Sequence, residues 1–498
     1  MSGHYSLLLS STLAGKSAAP SAFPNAFTTK PLPMKYRVQE LEISAEDPFK
    51  NDALAREPLV KFLSGLIGRF EGPFVLALDS PWGTGKTTLV RMLQAHLEQQ
   101  DFQCLYFNAW QVDYAADPLV ALVSAIDEIK LLDGAAESAF RSHLKTAKKI
   151  TTAVAKRGAI AIAKAATLGS LDLEKDMEAV AAEIAGGLAS DAVDAFQKEK
   201  NALKKFREEV AKAVEQFKAA GKKETLIFFI DELDRCRPTF AIEMLERIKH
   251  LFDVPNIVFV LSIDKVQLEA STAAVYGERI NAPEYLRRFI DLEYGIPVVQ
   301  TKRFTEALFA RYELDSVFAG RTGSETRYDR ENLVEAFTAL ADIFELSLRA
   351  RERCITRIAV VMDQTPNDHY LDPVIVAFLV VLRLKNLELF SSLCRGTVSP
   401  EDAMKFLATR PDGAEFVADR YGVLIEAYLL LGDANTERKR GRYQALEAMA
   451  QNVNPADQFK QSRVADLVVR CRGIQSGGRS FRLKPVAEKI DLAAAVKD

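Results

Sequence analysis

The stretch FVLALDSPWGTGKTTLVRML, residues 74–93, constrains this chain more than any other. An apolar run leads into a glycine-rich turn, and a helical pattern follows. The turn nearly fits the phosphate-loop spacing of Gly, four free residues, then Gly-Lys-Ser/Thr. Gly85, Lys86 and Thr87 fit; Ser80 stands where the first glycine belongs, and the bulky Trp82 sits inside. In such a turn, successive backbone N–H groups point at an anion from the start of a helix, whose dipole favours negative charge. Lys86 supplies a mobile cation for β- and γ-phosphates, and the Thr87 hydroxyl a ligand for Mg²⁺. Gly83 and Gly85 permit the tight geometry. The expected nucleotide-binding set is Ser80, Trp82, Gly83, Thr84, Gly85, Lys86, Thr87 and Thr88.

The run TLIFFIDELD, residues 225–234, reads as a second anchor. Two acids after five apolar residues are costly unless they serve a site. Asp231, at the carboxyl end of a buried strand, is the expected metal-holding acid; Glu232 is the expected catalytic proton acceptor. Asp234 and Arg235 structure the loop, take part in coupling, or form a salt-bridged surface turn. FQCLYFNAW (102–110) and NIVFVLSID (256–264) read as further strands, and Ser262 or Asp264 as a polar sensor of the γ-phosphate. A strand between the two anchors, and a base directly after the metal acid, favour the additional-strand class of ATPases. Transition-state arginines are sought in YLRRFIDLEY (Arg287, Arg288) and SLRARERC (Arg349, Arg351, Arg353), one to act on its own nucleotide and another on a neighbour's. A solvated helix face is the alternative for each.

Apolar strands separated by helices imply an α/β fold with a parallel sheet covered on both faces. The chain has 498 residues, 48 % of them hydrophobic, enough for two or three domains. A net charge of −3 argues against binding nucleic acid by bulk charge. Five scattered cysteines and five histidines make no zinc pattern and suit a reducing cytoplasm. The most apolar segment, PVIVAFLVVL (373–382), is too short to span a bilayer, which needs roughly 20 residues.

Residues 1–35 read as a disordered leader, or Met34 as the natural start. Residues 36–298 form the nucleotide-binding domain, with an Ala- and Lys-rich helical insertion at about 125–220. Residues 299–434 read as helical, with helices at 302–318, 330–363, 371–397 and 400–430. Residues 435–498 are basic and less regular, with RKRGR (438–442) and GGRSFRLK (477–484) as a possible nucleic-acid contact.

WGTGKTT, FNAW, IDELDRC, VLSID and YLRRFIDLEY, in this order, resemble the KAP family of P-loop NTPases. The segment DPFKNDALAREPLVKFL is similar to what precedes that family's phosphate loop. The resemblance implies adenine over guanine, a core like that of AAA+ and STAND ATPases, and homo-oligomers or partner proteins. Many such proteins insert membrane spans between the two nucleotide motifs. Here Lys156, Arg157 and Lys164 interrupt the apolar stretch, leaving a solvated hairpin, a partner-binding face or a basic helix lying on anionic lipid. Several bacterial members belong to anti-phage defence or plasmid-exclusion systems. The resulting expectation is a Mg²⁺-dependent ATPase switch. The alternatives are an ATP-driven nucleic-acid-handling motor and a nucleotide-binding scaffold with little turnover.

Overall fold

A computed structural model describes residues 41–70, 72–167, 189–297, 301–319, 328–365, 371–451, 458–476 and 481–491. The leader 1–35, Met34 and residues 477–480 of the second basic run lie outside them, as do the side chains of Lys156, Arg157 and Lys164.

Five parallel strands form one sheet. They are β1 (Phe74–Asp79), β2 (Gln103–Asn108), β3 (Leu226–Asp231), β4 (Ile257–Ile263) and β5 (Leu292–Gly295), in the order β2-β3-β4-β1-β5. The additional strand β4 thus separates the phosphate-loop strand β1 from β3. Every residue of β3 and β4 is buried, as expected of parallel strands covered on both faces.

Strand residues alternate between two cores, as the pleat requires. Leu76, Leu78, Ile227, Phe229, Val258 and Val260 pack with α1 (Glu57–Ile67) and α2 (Lys86–Glu98). On the other face Ala77, Phe228, Ile230, Phe259 and Leu261 meet α3 (Pro118–Ile126), α4 (Gly134–Thr167), α5 (Ala189–Ala219) and α6 (Pro238–Leu251). After β4 come α7 (Lys265–Tyr276) and the short α8 (Ala282–Leu286). Helices α4 and α5 occupy most of the stretch, about 125–220, read from the sequence as an insertion. Its base is rooted in the sheet core: Phe140 faces Phe217 at 5.8 Å between ring centroids, and Phe206 meets Phe252 edge-on at 5.6 Å. Lys148 bonds the Asp127 carboxylate, so part of the basic face is neutralised within the fold.

Strand β5 is not among the expected strands. It is a short edge strand, with Leu292, Glu293 and Gly295 exposed, so it lacks the apolar run that marks the others.

The carboxyl-terminal half is helical: α9 (Lys302–Arg311), α10 (Leu314–Ala319), α11 (Asp329–Ile343), α12 (Leu348–Asp363), α13 (Pro373–Lys385), α14 (Leu387–Arg395), α15 (Pro400–Ala408), α16 (Gly413–Ala418), α17 (Arg420–Gly432), α18 (Thr436–Gln451), α19 (Gln458–Ser476) and α20 (Leu483–Asp491). Each long helix expected from the sequence is broken. Glu313, Glu345 and Asp412 take positive φ at three breaks, and Asn386 caps α14 at a fourth. Pro373–Leu382 is the buried body of α13. Among the described residues no helix is long and apolar enough to cross a membrane.

The region after residue 435 is more regular than expected, with three helices. The RKRGR run lies on α18 and is largely spent inside the fold. Arg438 bonds both oxygens of Asp433 at 2.6 Å and the carbonyls of Gly396 and Val398 at 3.1 Å. Lys439 donates to Leu431 O, and Arg442 pairs with Glu401 at 2.8 Å.

Candidate functional site: a phosphate loop held by Arg56 and by the start of α12

The turn after β1 places Gly83 at φ 80° and Gly85 at φ 84°, where L-residues are strained. A Cβ on Gly83 would lie 2.9 Å from Ser347 Oγ; one on Gly85 would lie 3.3 Å from Arg56 Nη1. Ser80 closes the turn without a glycine. Its N–H donates to Ile263 O at 3.1 Å, and its hydroxyl to Thr84 Oγ1 at 2.7 Å. The Lys86 ammonium is buried and donates to Ser80 O and, at 3.3 Å, to Pro81 O. Burial pulls its pKa down; nearby Asp234, Asp264 and Asp231 oppose this.

Strand register brings the second anchor beside the loop. Asp231 is buried, and its Oδ2 accepts from Thr87 Oγ1 at 2.7 Å and from Tyr106 OH at 2.9 Å. Burial, then the Asp231 charge, raises the Tyr106 pKa, and Arg91 stacks 3.3 Å from that ring's centroid. Glu232 sits at φ 61°. Asn108 Nδ2 donates to its Oε2 at 3.0 Å, and the Arg235 guanidinium to its Oε1. Ser262 pairs with Asp231 in the β3–β4 register, and its buried hydroxyl has no hydrogen-bond partner. Asp264 accepts from the Trp82 backbone N–H at 3.2 Å.

Trp82 is 44 % exposed, and its indole N–H is taken by the Asp234 carboxylate. Asp234 is therefore a buried loop-former and not a surface turn. Burial raises its pKa against the pull of the Trp82 bond and Lys86.

Two contacts were not legible in the sequence. Arg56, next to α1, is buried and donates to Gly85 O at 2.8 Å and Thr84 O at 2.6 Å. Burial brings its pKa down to about 10 although Asp52 opposes. Across the loop, the Leu348 N–H at the start of α12 donates to Gly83 O at 2.8 Å, and Ser347 caps that helix.

A cleft of about 1400 Å³ opens over these residues. Gly83, Gly85, Lys86, Thr87, Thr88, Asp231 and Glu232 line it, with Arg349 from α12 and the apolar Ile43, Phe49 and Met92. The chain matches the model of the KAP family P-loop domain over residues 56–363. It belongs to the KAP family. The matched KAP region runs from Arg56 through α12, so it takes in both the loop and the two helices that close on it.

The other four candidate arginines do not line the cleft, whereas Arg91, Arg235, Arg303 and Arg311, which were not among the candidates, do. Arg287 and Arg288 are exposed beyond α8, outside the cleft lining, Arg287 paired with its own Glu284 at 2.6 Å. Arg351 turns into the helical core, donating to Leu346 O at 2.9 Å and Asp342 at 2.6 Å. Arg353 is exposed.

Among solved structures, the chain is similar to the Aeropyrum pernix ORC2 protein in ADPNP–ADP complexes. The identity is 15 %, with 89 % of this chain and 94 % of that one covered, at a TM-score of 0.28. AMPPCP-bound DnaA from Aquifex aeolicus matches at 13 % identity, 90 % and 95 % coverage and a TM-score of 0.26. Drosophila ORC bound to poly(dA/dT) DNA and Cdc6 matches at 13 %, 86 % and 62 %, with 0.29. No curated protein matches the chain.

Proposed function

We propose that this KAP-family chain binds ATP with Mg²⁺, hydrolyses it, and presents its nucleotide state to partner proteins. The observation that carries the reading is convergence. Lys86, Thr87, Asp231 and Glu232, drawn from two distant stretches of sequence, line one cleft at the carboxyl ends of β1 and β3, the two parallel strands that flank β4. Two features suit the ligand: both glycines are left-handed, a Cβ on Gly83 meeting Ser347 Oγ at 2.9 Å, and the buried Ser262 hydroxyl has no hydrogen-bond partner among the described residues.

Mg²⁺, held by Thr87 and Asp231, would neutralise charge on the phosphates. Lys86 binds phosphate oxygens, and Ser262 senses the γ-phosphate. Glu232 takes the proton of the attacking water. Asn108 and Arg235 fix its two oxygens. Arg349 supplies a cation within the cleft, while Arg287 and Arg288, on the surface, serve a neighbouring copy. Nucleotide state reaches the helical half through the bond from Leu348 to Gly83.

On this reading residues 36–298 are the nucleotide domain, 299–434 a helical domain that reads it, and 435–498 its basic extension. A cytoplasmic setting rests on the five free thiols. The anti-phage role rests on family resemblance alone. A scaffold with little turnover has one observation in its favour: the Arg235 guanidinium already engages one Glu232 oxygen.

The test is the Glu232→Gln variant. Loaded with Mg²⁺ and ATP and passed through gel filtration, it should retain intact ATP, whereas the wild type should retain ADP. The elution volume and co-purifying proteins then report oligomer and partner. Wild-type phosphate release beyond one turnover excludes the scaffold; undiminished release in Glu232→Gln sinks the ATPase assignment.

A further inference from the structure

Trp82 and Asp234 are 152 positions apart, yet the indole N–H donates to the Asp234 carboxylate. A second bond joins this contact: the Trp82 backbone N–H donates to Asp264 at 3.2 Å. The loops after β1, β3 and β4 are thereby tied at Trp82. The tie is polar rather than a packing contact: Asp234 is 6 % exposed, but the indole that reaches it is 44 % exposed.

Asp234 also belongs to the turn that carries Glu232. The turn Leu233–Arg235 begins at Glu232 in the left-handed region, and the Arg235 N–H closes it onto Glu232 O at 3.1 Å. The Arg235 guanidinium then holds the Glu232 side chain. A turn closed on itself over four residues moves as a unit. A displacement of Trp82 therefore displaces Glu232.

We propose that the Trp82–Asp234 bridge is a positioning link that sets Glu232 relative to the phosphate loop, so that the geometry of the loop governs turnover. Trp82 and Asp234 are positioning residues in this scheme. It rests on the ATPase reading and adds to it the route by which loop and base are registered. Misplacing a reacting group by about 1 Å costs on the order of 100-fold in rate.

The decisive variant is Trp82→Phe in the full chain, which keeps an aromatic ring and deletes one N–H. With Mg²⁺ and ATP, kcat should fall about 10- to 100-fold. KM, and the Kd for N-methylanthraniloyl-ATP, should stay within about threefold. Asp234→Ala should match it, and the double variant should be no slower than Asp234→Ala, because both remove one link. Asp234→Asn, which keeps an acceptor oxygen for the indole, should recover part of the rate even if Trp82→Phe fails to fold. A rise in KM at constant kcat, additive losses, or no rescue by Asn overturns the link. If the wild type proves to turn over no ATP, the ATPase reading falls by itself. The link is then decided by Trp82 fluorescence in a Trp110→Phe background. An emission shift with Mg²⁺ and ATP that Asp234→Ala abolishes sustains it; no shift refutes it.

Discussion

In the sheet half, buried charge gathers at one place. Lys86, Asp231, Asp234 and Asp264 are all buried at the carboxyl ends of β1, β3 and β4, with Arg56 buried against the loop: three acids around one ammonium and one guanidinium. In the helical half, buried charge is dispersed, and three groups have a dedicated partner. Arg351 bonds Asp342 and Leu346 O, Asp433 holds Arg438, and Glu426 holds Arg463. Burying a charge is tolerable when it is paired locally. The helical half meets that condition pair by pair. The sheet half does not, and an unequal cluster of charge at strand ends is the mark of a site rather than of a scaffold.

That contrast can be tested from its largest consequence downward. Lys86→Ala should weaken nucleotide binding by at least about 100-fold, since charge-assisted hydrogen bonds contribute about 1.5–3 kcal/mol each. Equilibrium titration with a fluorescent ATP analogue reads this, and urea denaturation should show the helical half unmoved. Arg438→Ala should do the converse. It strands an Asp433 side chain that is 2 % exposed, while Arg438 itself is 27 % exposed, so the cost is taken at the lower end, about 3 kcal/mol. Hydrogen exchange in α17 and α18 should rise while nucleotide affinity holds. Loss of affinity in this variant would mean that the halves are not separable.

Gly83→Ala tests the junction between the halves. A left-handed alanine costs about 1–2 kcal/mol, and its Cβ meets Ser347. Exchange at the start of α12 should rise and nucleotide affinity fall together; a change in one alone would break the proposed coupling. The smallest effect lies in the insertion. The His143 hydrogen bond lowers the Glu209 pKa from its ordinary 4.5. A depressed carboxylate contributes stability above that value and loses it as pH falls through the folded pKa. Solvent screening keeps this under about 1 kcal/mol. Exchange in α4 and α5 should therefore increase only below about pH 4.5, and Glu209→Gln should remove the dependence.

Much of the sheet half could be read from the chain because its signals are local. Apolar runs marked β1 to β4, and the acids of IDELD stood out against them. What escaped depends on distance. Nothing near Arg56 announces partners 28 and 29 residues away. Nor could the carboxylate partner of the Trp82 indole, 152 positions away, be named. In the helical half the apolar periodicity survives across Glu313 and Glu345, so helices ran together in the reading. These glutamates adopt positive φ without a glycine or proline beside them to signal a break. Strand β5 is held by pairing with β1 and not by its own hydrophobicity. The basic run at 438–442 looked like a surface feature because its partners, Asp433 apart, come from other helices or their connections.

The root of the insertion carries a different consequence. Phe140 and Phe217 bring its outgoing and returning helices side by side at the sheet core. The ends of whatever lies beyond are thus already held together, and each doubling of an intervening flexible segment costs only about 0.6 kcal/mol in closure entropy. Exchange of the segment between these two helices should therefore cost the sheet core little.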